Sequence, residues 1–174
     1  LQPSPGAFNH ALVRANIDGR HYWLDPTRMP QSGTAETIFQ PDYELALVVD
    51  AATSELSSMD GEKAPRIFYK RISTEFDASG GLDKPLGLTV KTVAEGPAAD
   101  AQRNFLATNT REEIQRQYVN FYAGYYPGIE VAAAFEVLDD AEANRFSVVE
   151  RYRIKDFWVR DDEKKHMQAT GHVP

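Results

Sequence analysis

Residues 8–27 read FNHALVRANIDGRHYWLDPT, and this stretch decides how the N-terminal part of the chain folds. Asp18-Gly19 lies between two runs of alternating apolar and polar residues. A two-residue type I′ turn needs positive φ at both central positions, and an Asp-Gly pair tolerates that conformation well. The sequence therefore predicts a tight β-hairpin with strands at about residues 8–17 and 20–25.

The two-residue turn also determines which side chains share a face. Pairing Ile17 with Arg20 puts alternate residues on opposite faces of the hairpin. One face then carries His10 and Asp25 as diagonal neighbours, roughly 7–8 Å apart at the backbone and within side-chain reach. The opposite face carries an apolar set that we expect to be buried, namely Ala11, Val13, Ala15, Ile17, Tyr22 and Leu24.

An imidazole beside a carboxylate has a definite chemical use. The carboxylate fixes the tautomer of the ring and stabilises the imidazolium that forms when the ring takes a proton from a thiol or hydroxyl. The alternative is a purely structural hydrogen bond between His10 and Asp25, which spacing alone favours. A metal site with His21 as a third ligand is disfavoured, because the register places the two histidines near opposite ends of the hairpin.

The segments FNHA at residues 8–11 and YWLDPT at residues 22–27 resemble the His and Asp strands of the bacterial transglutaminase-like superfamily, papain-like enzymes with a Cys-His-Asp triad. The resemblance implies that His10 is the triad base and that Asp25 orients it. Trp23, on the same face, is a candidate substrate-binding residue or, equally, a cover for the sheet. The resemblance further implies a protein or peptide substrate, no cofactor, and a periplasmic or cell-envelope location.

The chain departs from this family in one respect, because it contains no cysteine. Family members carry the nucleophile on a helix that precedes the His strand, and nine residues precede His10 here. We therefore expect a fragment whose missing N-terminal part supplies the Cys helix, or a relative that has lost its nucleophile. In both cases this chain alone is not expected to perform thiol chemistry.

The composition is that of an ordinary globular protein, with 174 residues, of which 42% are hydrophobic and 26% charged. The formal net charge of −7 argues against a nucleic-acid partner, which normally requires a basic face. No apolar run approaches the roughly 18–20 residues needed to span a bilayer.

The acidic turn at residues 139–144 lacks the pattern of an EF-hand loop, so we expect a solvated turn there.

The middle of the chain contains a predicted boundary. The run LALVV at residues 45–49 predicts a buried strand beside the hairpin. Residues 50–65 indicate a polar connector, because they include Ser54, Ser57, Ser58, Asp60, Gly61 and Pro65. We place residues 1–60 in the transglutaminase-like part and residues 61–174 in an appended β-rich α+β domain of unknown role.

The pattern restarts after this connector. Alternating residues predict two strands, at 66–76 and 86–93, joined as a second hairpin. Gly96-Pro97 opens a helix whose body is residues 98–107, and Thr110 with Glu113 has the spacing of a capping box for a second helix. That second helix carries an apolar stripe expected to be core: Ile114, Tyr118, Phe121, Tyr122 and Tyr125.

Two further strands, at 129–138 and 146–159, complete the predicted fold. The class is α+β, a hairpin remnant of a transglutaminase-like core followed by a ββααββ antiparallel sheet with two helices on one face. We expect Phe157-Trp158 to close an edge of the core and residues 160–165 to be solvated. The alternative function is a non-enzymatic binding or scaffold module of a bacterial envelope protein, with residues 66–160 as its working part.

Overall fold

The computed structural model describes residue 6 and residues 8–28, 30–59, 70–161 and 166–169, with the backbone alone for residues 159–161 and 166–169. These residues form an α+β structure of antiparallel sheets and two helices, which confirms the predicted fold class. None of the helices in these ranges is long and apolar enough to cross a membrane.

Two helices and ten strands, several of them short, occur within the described ranges. The helices are α1 (Pro97–Thr108) and α2 (Arg111–Ala123). The strands are β1 (Val13–Ile17), β2 (Arg20–Leu24), β3 (Leu45–Ala46), β4 (Ser57–Ser58), β5 (Lys70–Asp77), β6 (Leu86–Glu95), β7 (Ile129–Asp140), β8 (Arg145–Ile154), β9 (Trp158–Asp161) and β10 (His166–Ala169).

Strands β1 and β2 form the predicted hairpin. Asp18 and Gly19 have φ of 50° and 80°, so both central residues have the positive φ of a type I′ turn. The predicted pairing of Ile17 with Arg20 is present, and the register continues without a slip. The predicted strand start at residue 8 is wrong. The chain turns just after β2, so residues 8–12 have no continuing strand to pair with.

The expected burial of the apolar face of this hairpin is also wrong. Val13 and Ile17 are 50% and 47% exposed. In the described part of the chain, no helix or other strand makes more than a marginal contact with β1 or β2. Alternation assigns residues to faces, but burial needs a second layer of structure, which the described residues do not supply here.

The predicted buried strand at residues 45–49 is wrong as well. Strand β3 covers two residues and pairs with β4 rather than with the hairpin. Strand β4 lies inside the segment expected to be a polar connector. Leu45, Leu47 and Val49 are 54%, 46% and 97% exposed. A short apolar run does not reveal by itself whether a sheet lies beside it. The boundary placed near residue 60 adjoins residues outside the described ranges and stays a prediction.

A four-stranded antiparallel sheet in the order β5-β6-β8-β7 forms the centre of the molecule. Its middle strands pair from Leu86 with Ile154 to Glu95 with Arg145. Strand β5 is described from Lys70 onward, and the predicted strand residues 66–69 lie outside the described ranges. One face of β6 and β8 supplies most of the apolar core: Leu86, Leu88, Val90, Ala94, Phe146, Val148, Tyr152 and Ile154.

Helices α1 and α2 pack against this sheet and begin where the sequence predicts. Pro97 is the first residue of α1, where its missing N–H costs no hydrogen bond. The Thr110 hydroxyl accepts a hydrogen bond from the Glu113 N–H, and the Glu113 carboxylate accepts one from the Thr110 N–H. The predicted capping box is therefore confirmed.

The aromatic stripe of α2 is only partly buried. Ile114 and Tyr122 lie in the core, whereas Phe121 is 57% exposed and Tyr125 is 37% exposed. Tyr126, which the helical spacing did not include, is 1% exposed. Because α2 ends at Ala123, the residues that follow no longer obey the helical period, and the turn directs Tyr126 inward.

The last predicted strand is divided in two. Strand β8 ends at Ile154, and a turn at Lys155-Asp156 separates it from β9, which pairs with β10 instead of extending the sheet. Residues 160 and 161, expected in a solvated terminus, belong to β9, and residues 162–165 lie outside the described ranges. Phe157 and Trp158 pack against the core, in agreement with their predicted role.

A loop after the hairpin joins it to the four-stranded sheet. The Tyr22 hydroxyl donates to Glu36 at 3.1 Å, which holds the loop to β2. On its other side, the Ser32 N–H donates to Asp100 in α1 at 3.0 Å. The Thr37 hydroxyl donates to the carbonyl of Glu142 in the β7–β8 turn. The hairpin is thus tied to the helix and sheet through hydrogen bonds of residues 32–37.

Glu150 is a carboxyl group inside the core. It is 5% exposed on the core face of β8 and accepts a hydrogen bond from the Tyr152 hydroxyl. Burial raises the pKa of Glu150 above its ordinary value, and the opposing effects of Tyr152 and Lys70 do not offset it. Burial and the nearby Glu150 also raise the pKa of Tyr118 and Tyr122 to about 12.

Replacing Glu150 with glutamine is expected to stabilise the protein at neutral and alkaline pH. The raised pKa means that folded Glu150 holds its proton when the unfolded chain has lost it. The free energy of unfolding therefore falls as the pH rises from 4.5, the ordinary pKa, toward the raised value. The slope reaches at most about 1.4 kcal/mol per pH unit. Urea unfolding between about pH 4 and pH 8 should show this decline in the parent chain and not in Glu150→Gln.

Glu75→Gln is the matched control, because Glu75 is an exposed glutamate of the same sheet. This variant should keep the pH dependence of the parent chain. An equal decline of stability with pH in Glu150→Gln and in the parent chain would contradict the assignment.

Candidate functional site

His10 and Asp25 meet at the open end of the β1–β2 hairpin. Their closest atoms are His10 Nε2 and Asp25 Oδ2, 2.8 Å apart. Asp25 directly follows β2, and His10 lies three residues before β1, so both lie just beyond the last pair of the hairpin, Val13 with Leu24. The predicted contact between these side chains is confirmed, and their catalytic role stays a prediction.

The carboxylate is held in one orientation by its neighbours. Asp25 is 4% exposed. Its second oxygen, Oδ1, accepts hydrogen bonds from the Thr27 N–H at 3.0 Å and the Thr27 hydroxyl at 2.6 Å. The Thr27 hydroxyl, and then His10, lower the pKa of Asp25 below its ordinary value, although burial acts in the opposite direction. Asp25 is therefore a fixed carboxylate at neutral pH.

The imidazole has one nitrogen bound to Asp25, and its side chain is partly exposed. With Nε2 on Asp25, the Nδ1 atom of His10 has no hydrogen-bond partner among the described residues. The His10 side chain is 32% exposed, so a reacting group can approach the ring. An imidazole whose far nitrogen is held by a carboxylate can take up a proton at its free nitrogen and release it again.

Tyr43 is part of this site although the sequence did not indicate it. Its ring centre lies 5.5 Å from that of His10, with the two ring planes tilted by 47°. Tyr43 lies 33 residues along the chain in a loop without periodicity, so no local pattern could have placed it beside His10.

The structure does not bring Trp23 to the imidazole. Trp23 is half-buried and pairs across the hairpin with Arg14, whose guanidinium carbon lies 5.8 Å from the centre of its ring. This contact agrees with a covering role for Trp23, and a role in substrate binding stays a prediction.

His21 is exposed and pairs with Asn16, away from His10. Within the described ranges, no group of three or more His, Asp or Glu side chains could hold a metal ion.

Searches against protein-family models, curated proteins and solved structures found no match to this chain. The function therefore has to be inferred from the chemistry of the site. That chemistry is a proton-accepting imidazole with a carboxylate partner, in a chain without a thiol.

Proposed function

We propose that this chain is the His–Asp part of a transglutaminase-like cysteine acyl transferase or peptidase. In this proposal, a preceding part of the same polypeptide supplies the cysteine, and the chain alone is inactive. The observation that carries the proposal is the 2.8 Å contact of His10 Nε2 with a buried carboxylate whose other oxygen is held by Thr27. The free Nδ1 of His10 is then the atom that faces the nucleophile.

The proposed reaction needs one proton carrier, and His10 fills that role. The thiol loses its proton to His10 Nδ1, and the thiolate attacks the carbonyl carbon of a glutamine side chain or a peptide bond. His10 returns the proton to the leaving amine as the carbon–nitrogen bond breaks, which leaves a thioester. Water or a second amine then attacks the thioester while His10 takes its proton. The carbon–sulfur bond breaks, and the released thiolate recovers the proton from His10. Asp25 stabilises the imidazolium in both steps.

Thiol labelling of the parent protein tests this proposal. The product that includes the sequence before residue 1 is treated with an alkylating reagent at about pH 6, where an unassisted cysteine is mostly protonated. Pairing with an imidazolium keeps the thiol ionised at this pH, so the upstream cysteine should be labelled rapidly. His10→Ala should slow that labelling at least about tenfold.

His21→Ala is the matched control, because His21 is an exposed histidine of the same hairpin that does not contact Asp25. Its labelling rate should equal that of the parent. Labelling that is equally fast in His10→Ala would remove His10 from the proposed triad.

The second candidate is a non-enzymatic binding or scaffold module of a bacterial envelope protein. Two observations favour it: the chain contains no cysteine, and the apolar side chains of Val13 and Ile17 are about half exposed on the hairpin. An exposed apolar face suits contact with another protein surface. The parent sequence before residue 1 separates the candidates, since the enzyme requires a cysteine there. The same bacterial periplasmic or envelope setting is proposed in both cases.

A further inference from the structure

A groove lies between helix α2 and strand β7. It has a volume of about 520 Å³, and α2 lines one wall with Arg111, Glu112, Gln115, Arg116 and Val119. Strand β7 lines the other wall with Val131, Ala134 and Phe135. Because β7 comes last in the order β5-β6-β8-β7 of the described strands, the groove follows an edge of the sheet. We call it the α2–β7 groove.

The two walls of the α2–β7 groove are tied to each other. The pairing of β7 with β8 is irregular between Ala133 and Glu136, and Phe135 has no strand partner on β8. Side chains of α2 hold its backbone instead: the Phe135 N–H donates to Gln115 at 3.1 Å, and Arg111 donates to the Phe135 carbonyl at 2.7 Å. The Arg111 guanidinium carbon also lies 4.4 Å from the centre of the Phe135 ring. The groove is therefore formed before any ligand binds.

The interior of the groove offers apolar surface. Val119 packs partly buried against the core, and Val131 is 41% exposed. Ala134 is exposed, and its single methyl group leaves space that a larger side chain would occupy. A hydrocarbon chain in this groove would remove both its own apolar surface and that of the walls from water.

Arg116 adds a cation whose donors are available. Unlike Arg111, it makes no hydrogen bond or ion pair with the described residues. Glu113 lies one turn earlier and attracts Arg116, but the Glu113 carboxylate is engaged by the N–H and hydroxyl of Thr110. A guanidinium presents a planar set of N–H donors that binds a carboxylate through two parallel hydrogen bonds.

We propose that the α2–β7 groove binds a small monocarboxylate with an apolar chain. The chain lies between Val119 and Ala134, and the carboxylate accepts hydrogen bonds from Arg116. A doubly charged head group is less suited to the groove, because Glu112 adds a negative charge to its lining. The residues of this site are not those of the proposed triad, so binding here does not depend on the proposed function.

Titration of the intact chain with octanoate and with octanamide tests the proposal, because the two ligands share a chain and differ in charge. Amide NMR should show saturable shifts around Val119 and Ala134, with a dissociation constant of about 1 mM for octanoate. Octanamide should bind about tenfold more weakly, since it lacks the charged acceptor. Arg116→Gln should weaken octanoate binding about tenfold and leave octanamide binding within about twofold, which removes the preference for the acid.

Filling the groove should affect both ligands alike. Ala134→Leu should weaken binding of octanoate and octanamide at least about tenfold, because the added side chain occupies the space of the hydrocarbon chain. Val131→Thr is a second variant that keeps the shape of the wall and replaces a methyl group with a hydroxyl. It should weaken binding of both ligands about threefold.

Ala133→Leu and Arg153→Gln are the matched controls. Ala133 is an exposed alanine of β7 outside the lining, and Arg153 is an exposed arginine of β8. Each variant should leave both dissociation constants within about twofold.

Three results would overturn the proposal. The first is the absence of saturable octanoate binding up to about 10 mM. The second is a preference for octanoate over octanamide that survives in Arg116→Gln. The third is unchanged binding in Ala134→Leu and Val131→Thr, which would place the ligand outside the α2–β7 groove.

Discussion

Leu88→Ala should lower the free energy of unfolding by about 2–5 kcal/mol, the range for removing a fully buried leucine from a close-packed core. Leu88 is 1% exposed at the centre of the sheet. Its strand partners are Phe76 on β5 and Tyr152 on β8, and it belongs to the core cluster that contains Tyr122 and Tyr126. These rings cannot move inward without losing contacts to one another, so we expect much of the cavity to persist.

Urea unfolding followed by fluorescence measures this loss. Leu138→Ala provides the matched control, since Leu138 lies on β7 of the same sheet and is 63% exposed. That substitution should change the free energy of unfolding by no more than about 0.5 kcal/mol. Similar losses for the two variants would show that the apolar side of β6 is not the core of this protein.

Arg103→Ala should lower the free energy of unfolding by about 3 kcal/mol, because it leaves buried polar groups without their partner. Arg103 in α1 donates to Asp100 at 3.1 Å, to Asn144 at 2.7 Å and to Asp139 at 2.7 Å. Asp100 and Asn144 are 9% and 1% exposed. The guanidinium thus joins the first turn of α1 to the β7–β8 turn, and it also lies 5.7 Å from the ring centre of Phe146.

Arg151→Ala is the control for this second prediction. Arg151 also pairs with a carboxylate, Glu136, at 2.7 Å, but the two side chains are 40% and 60% exposed. Its removal should cost about 0–1 kcal/mol, as for other solvent-exposed pairs. The same urea experiment compares the two variants, and an Arg103→Ala loss no greater than that of Arg151→Ala would mean that the network adds little to stability.

The Arg103 network also bears on the candidate site. Asp100, which Arg103 holds, accepts the hydrogen bond of the Ser32 N–H, and the same loop is held to β2 through Glu36 and Tyr22. The hairpin that carries His10 and Asp25 is thereby attached to α1 and the β7–β8 turn rather than left as an isolated ribbon. An isolated two-stranded hairpin is at best marginally stable in water, so this attachment supports the geometry of the His–Asp pair.

Local sequence signals were sufficient where the relevant contacts are close along the chain. Asp18-Gly19 set the turn and hence the register, which puts His10 and Asp25 at the same open end of the hairpin, where their side chains meet. Pro97 and the Thr110 capping box located the starts of the two helices. These features depend on φ preferences and on hydrogen bonds within a few residues, which the sequence specifies directly.

Features that depend on distant neighbours were predicted poorly. The run at residues 45–49 is as apolar as a buried strand, but β3 has only β4 beside it, and Val49 remains 97% exposed. Tyr43 reaches His10 through the path of a loop, and Ser32 reaches Asp100 across 68 residues of sequence. Neither contact leaves a periodic signal, because each depends on how separate segments pack.

The sequence by itself determined the hairpin turn, its register, the meeting of His10 with Asp25, the helix starts and the α+β class. Only the tertiary structure decided which apolar faces are covered, that Tyr43 contacts the imidazole, and that β8 stops at Ile154. The physical reason is the range of the interactions. Turns, caps and hairpin pairs are set by nearby residues, whereas burial and pocket formation require segments far apart in sequence to come together.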